Sequence, residues 1–103
     1  MIVTVYAVFA STEEAQRIAR TLVEERLAAC ANILASCRSI YRWQGKIEDA
    51  DEVPALFKTR ADTAEALIVR LAELHSYDVP AAAVWPIANA LPAYADWVAQ
   101  ESG

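Results

Sequence analysis

The chain has 103 residues, nine basic side chains against fourteen acidic ones, and a formal net charge of −5. That length accommodates one hydrophobic core, and a surface of that sign repels phosphate, which argues against a nucleic-acid partner. No run of apolar residues approaches the ~20 that a membrane-spanning helix needs. The opening Met1-Ile2-Val3-Thr4-Val5-Tyr6 lacks the basic start of a signal peptide, and Cys30 and Cys37 are too few for a disulfide framework. A cytoplasmic, reducing compartment is the natural expectation.

Hydrophobic residues make up 56% of the chain, much of it in small alanines. Ile2 to Phe9 is β-branched and aromatic and predicts a buried strand. Ser11-Thr12-Glu13-Glu14 then forms a capping box, in which Ser11 accepts from the Glu14 backbone and Glu14 reaches back to the cap. Ala15, Ile18, Ala19, Leu22, Val23 and Leu27 follow at helical spacing, giving an amphipathic helix from about Thr12 to Leu27. From Ala29 to Trp43 the pattern turns extended. Gln44-Gly45 marks a tight turn, and a second extended arm runs from Lys46 to Thr59. Pro54 lies inside that arm and removes a ladder donor, which predicts an edge or a bulge there. Asp62-Thr63-Ala64-Glu65 repeats the capping pattern before a second apolar stripe through Ala64, Leu67, Ile68, Leu71 and Leu74, ending near His75. Ala81 to Ile87 predicts a last strand and Ala93 to Gln100 a short closing helix.

The order β-α-β-β-α-β is the ferredoxin-like one. It implies a single α+β domain over 1–103, with one antiparallel sheet, two long helices on one face and a short C-terminal helix. The central hairpin exceeds what so small a core covers. Its exposed edges, carrying Ile40, Tyr41 and Trp43, call for pairing with another chain. The three Trp and four Tyr, Trp97 among them, suit an interface.

Five ordered blocks across the chain resemble the CutA family of divalent-cation tolerance proteins. They are Leu27-Ala28-Ala29-Cys30-Ala31-Asn32-Ile33, then Ser39-Ile40-Tyr41-Arg42-Trp43-Gln44-Gly45-Lys46-Ile47-Glu48, Phe57-Lys58-Thr59-Arg60, His75-Ser76-Tyr77-Asp78-Val79-Pro80 and Tyr94-Ala95-Asp96-Trp97. The resemblance implies a ferredoxin-like fold, a cytoplasmic homotrimer whose hairpins wrap neighbouring subunits, and a role in tolerance of copper and other divalent cations. It implies no enzymatic activity. The architecture is also similar to that of the PII signalling proteins, which leaves an alternative: a regulatory trimer binding a small anionic ligand or nucleotide in clefts between subunits.

Cys30, Cys37 and His75 are the candidate ligands for copper or zinc. The two cysteines lie seven positions apart in an extended run, roughly 23 Å at ~3.3 Å per residue, and an unbroken strand turns them to opposite faces. They form neither a disulfide nor a shared site within one chain, so no cofactor is required and any copper or zinc is bound weakly. Phe9 and Ala81 stand where the family often offers a further ligand. Each candidate also has a structural reading: Cys30 as a small core residue, and His75 as a group at a helix C-terminus. Glu48-Asp49-Ala50-Asp51-Glu52 reads as a solvated acidic hairpin tip. No nucleophile-base pair or phosphate-binding loop is present, so the chain is not expected to be an enzyme. Trp43, Lys46, Lys58 and Tyr77 are the candidate cleft residues, and Tyr41, Trp43 and Trp97 the candidate interface aromatics.

Overall fold

The computed structural model describes residues 1–103. The first strand, β1 (Ile2–Phe9), splits its side chains by parity. Val3, Val5, Ala7 and Phe9 join one core with the two long helices, while Ile2, Thr4, Tyr6 and Val8 face the other side. The first helix, α1 (Thr12–Glu24), starts where Ser11 Oγ accepts from Glu14 N at 3.1 Å. It ends three residues before Leu27 because Arg26 adopts a left-handed conformation, φ 63°. Arg26 N then donates to Val23 O and Leu27 N to Leu22 O. That pairing closes the helix in a Schellman motif and leaves Leu27 packed against the core.

The first extended arm is two strands rather than one: β2 (Cys30–Ile33) and β3 (Cys37–Trp43). Both pair antiparallel with the 15-residue β4 (Lys46–Arg60). Their registers differ by one residue, because Cys30 opposes Lys58 while Cys37 opposes Glu52. Seven residues on one arm thus span six on the other, and the two cysteines face the same side, not opposite sides. They remain roughly 20 Å apart at about 3.3 Å per residue. Pro54 sits at this slip but on an interior strand, not an edge. Its carbonyl accepts from Leu34 N at 2.9 Å, so its missing donor faces the gap between β2 and β3, where no ladder partner goes unmet. Gln44 and Gly45, both with positive φ, make the two-residue turn into β4.

The second helix, α2 (Ala64–Leu74), has Thr63 before it and no side-chain cap. Asp62, expected to cap, is engaged instead by the Arg60 guanidinium at 2.8 and 2.7 Å. The last strand, β5 (Ala82–Pro86), pairs with β1, and α3 (Pro92–Glu101) begins on Pro92. The sheet order β2-β4-β1-β5 is the ferredoxin-like one. α1 and α2 cover one face, where Phe9, Phe57, Ile18, Leu22, Leu67 and Leu71 are fully buried, each worth about 1.5–3 kcal/mol relative to exposure. α3 covers only one end of the opposite face, where Val98 packs on Ile2 and Ala29. The rest of that face, and the outer half of the hairpin, stay open.

Candidate ligand groove

A groove of about 640 Å³ occupies the uncovered end of the helix-free face. Tyr6 and Val8 of β1 form its floor, and Tyr41 and Trp43 of β3 one wall. Glu48 and Glu52 of β4 line it from the strand beside β3, and Tyr77, Asp78, Val79 and Ala81 of the α2–β5 connection complete the lining. Register explains why these side chains meet. Tyr41 opposes Glu48 across the hairpin, and even positions of β4 share the face that carries Tyr6 and Val8. Trp85 stacks on Tyr6 at 4.8 Å, extending the aromatic floor.

The α2–β5 connection is held by three polar ties. Glu14 is the first. Its Oε1 accepts from Ala10 N at 3.1 Å and its Oε2 from Ser76 N at 3.0 Å. The carboxylate therefore reaches past the Ser11 cap and binds the exit of β1 to the exit of α2. Burial alone would raise its pKa; the hydrogen bonds from Ser76 and Ala10 outweigh burial and hold it below 4.5. His75 is the second tie. The Val8 carbonyl, only an acceptor, lies 2.8 Å from Nε2, so Nε2 carries the hydrogen. Nδ1 then accepts from Tyr77 N at 3.1 Å. Neither ring nitrogen keeps a lone pair free for a metal, and the ring stacks on Phe9 at 5.0 Å. Tyr77 is the third tie: its hydroxyl donates to Glu52 Oε2 at 2.8 Å. Burial, with the adjoining Glu52 carboxylate, pushes the phenol up to about 12.

The candidate residues thus divide. Trp43 and Tyr77 line the groove; Lys46 and Lys58 do not. Lys58 lies opposite Cys30 and donates to Asn32 Oδ1 at 2.6 Å. Cys30 Sγ sits 3.6 Å from the Tyr94 hydroxyl, and Cys37 Sγ 3.9 Å from Ser39 Oγ. Burial and the Cys30 contact push Tyr94 up to about 12. Cys30, Cys37 and His75 are not brought together, and no three His, Cys, Asp or Glu side chains of the chain cluster closely enough to hold a metal ion. The acidic hairpin tip is partly neutralised, since Arg38 pairs with Asp49 at 3.1 Å and Asp51 at 3.0 Å. Tyr41 and Trp43 are more than a third exposed, as is Trp97, which stacks on Tyr94 at 6.0 Å. Among the residues that escaped sequence reasoning are Tyr6 and Asp78, Glu14 and Glu52. Glu14 looked like a local cap, and Glu52 looked like one more tip carboxylate, although it stands immediately before the buried run Val53-Pro54-Ala55, where solvation ends.

Comparison with known proteins places these features. The model of the CutA1 divalent ion tolerance protein family matches residues 3–101. A divalent-cation tolerance protein CutA of Pyrococcus horikoshii is 43% identical over 100 residues, covering 97% of each chain. The structure of a divalent cation tolerance protein from Thermus thermophilus superposes with a TM-score of 0.97 at 42% identity, over the whole of both chains. That of a CutA from Archaeoglobus fulgidus, described as periplasmic, superposes at 0.95 with 37% identity over 98% of both.

Proposed function

The chain belongs to the CutA1 divalent ion tolerance protein family, and from that premise we propose that it works as a homotrimer in the handling of divalent cations such as copper and zinc, and not as an enzyme. The observation that carries the assembly is the hairpin. Ile40 is 73% exposed and Ile47 62% exposed on one of its faces, with Tyr41 and Trp43 on the other. Open strand edges bearing apolar side chains are a liability unless another copy of the chain covers them. Three copies wrapped through their hairpins cover them.

Within this reading copper or zinc is held weakly. His75 spends both nitrogens on the fold, and a closed site of the structural kind needs about four Cys or His ligands. Carboxylates near the hairpin tip suit harder ions and bind them loosely. A thermal-shift series tests the proposal, because a ligand that binds only the folded state raises the Tm. Stabilisation by divalent cations over nucleotides and other small anions is the expected outcome. Stabilisation by nucleotide alone would replace the proposal with a regulatory, anion-binding trimer.

A further inference from the structure

Beyond Val53, β4 loses both of its inner neighbours. β1 ends at Phe9, opposite Val53, and β2 ends at Ile33, opposite Ala55. From Glu52 out to Lys46 its only partner is β3, so the hairpin leaves the body as a two-stranded ribbon, about 20 Å long at ~3.3 Å per residue. No residue of 37–52 joins either cluster of buried apolar side chains. The ladder is also interrupted where the ribbon departs. Leu34, Ala35 and Ser36 belong to no strand, the register slips by one, and Pro54 brings no N–H. A two-stranded ribbon is marginally stable in water by itself, and a broken ladder at its root leaves its angle to the body free to vary.

One side-chain bond spans that root. Of the side-chain hydrogen bonds and ion pairs made by residues 37–52, only the one from the Tyr77 hydroxyl to Glu52 Oε2, at 2.8 Å, reaches outside the ribbon. The others join Cys37 to Ser39 and Arg38 to Asp49 and Asp51. Glu52 is the first ribbon residue past the root and is 8% exposed. Tyr77 is fixed from behind: its N–H donates to His75 Nδ1, its ring lies 4.7 Å from the imidazole, and His75 Nε2 donates to Val8 O. Its phenol is pushed up to about 12, so it stays a donor through the neutral range, and a bond to a carboxylate is roughly twice as strong as one to a neutral acceptor. We propose that Tyr77 and Glu52 form a brace that sets the angle of the hairpin to the body and so presents Ile40, Tyr41, Trp43 and Ile47 in the orientation that a neighbouring copy of the chain takes up. The inference rests on the trimer proposed above. A ribbon already held at its angle spares association the cost of ordering it. The brace acts there and not on the core, because the core does not include the ribbon.

The test is subunit exchange in the full-length protein, read by mass spectrometry after isotope-labelled and unlabelled trimers are mixed, with amide hydrogen exchange as the second readout. Tyr77→Phe removes the hydroxyl and keeps the ring. It should speed subunit exchange by about tenfold or more and deprotect the amides of 37–52 while those of β1 hold. Glu52→Gln keeps an acceptor and should stay within about threefold of wild type. Glu52→Ala should match Tyr77→Phe, and the double variant should be no worse than either single one, as for two ends of one bond. Wild-type exchange in Tyr77→Phe, equal loosening of the ribbon and of β1, or fully additive effects in the double variant would each overturn the proposal while the trimer stood. A wild-type chain that is monomeric before mixing would overturn the trimer and the brace's role in it together.

Discussion

Replacing Glu14 tests how the groove wall is held. Its carboxylate accepts from Ala10 N and Ser76 N and is 7% exposed. Hydrogen bonds to a charged acceptor contribute about 1.5–3 kcal/mol each. Ala10 and Ser76 are themselves exposed, so their N–H groups recover water when the carboxylate is lost, which places Glu14→Ala near the low end, about 2–4 kcal/mol for the two bonds together. For a chain of this length that corresponds to a fall in Tm of roughly 10–20 °C. The pH dependence separates this account from a packing defect. The carboxyl is held below 4.5 in the fold, so its stabilisation is present in full above that value and is lost as the pH falls through the folded value. Glu14→Gln keeps the volume without the charge. Urea unfolding of wild type and Glu14→Gln should therefore show a constant gap from pH 8 to 6 that closes toward pH 3. A gap that persists unchanged to pH 3 would refute the carboxylate as its source.

Thr59 is fully buried on the same side of β4 as Phe57, and its hydroxyl has no hydrogen-bond partner; Thr59→Val should raise stability by about 1 kcal/mol in denaturant unfolding, and a loss would show that the hydroxyl is satisfied in solution. Tyr77 and Tyr94 are both pushed up to about 12, so an ultraviolet titration should show a phenolate step there worth two tyrosines, halved in Tyr77→Phe and in Tyr94→Phe. Trp43→Ala should weaken subunit association by about 30-fold, the effect of ~2 kcal/mol at an interface anchor, with Tyr41→Ala in the same direction, read from mass against concentration. Competition with a chelator of known affinity should find only weak copper or zinc binding, little changed in Cys30→Ser, Cys37→Ser or His75→Ala; tight binding lost in any one of them would make metal sensing the leading molecular function.

The element order, both long helices and the Gln44-Gly45 turn were legible in the residues because each rests on local pattern: a β-branched and aromatic run from Ile2 to Phe9, period 3.6 from Ala15 to Leu22, and a Gln-Gly pair between two extended arms. The slip at Leu34 to Ser36 was legible only as the bulge expected at Pro54; its exact place depends on which carbonyl of β4 finds Leu34 N opposite it. The end of α1 at Glu24 was not legible, since Arg26 takes a left-handed conformation more usual for Gly or Asn and is held there by its contacts with Gln100 and Gly103. The groove was half visible. Trp43 and Tyr77 stood out as cleft residues by type, whereas Lys46 and Lys58 share the groove's face of β4 by register but stand beyond its lining, at the hairpin turn and opposite Cys30. Glu52 was hidden in a run of like residues, because neighbours in sequence along a strand end in different solvent.

Light scattering on the eluting protein at micromolar concentration tests the central claim most directly. The account predicts a single species of three times the 11.3 kDa chain mass, held by the exposed hairpin. A species at 11.3 kDa would contradict it, because Ile40 and Ile47 would then stand in water with nothing to cover them.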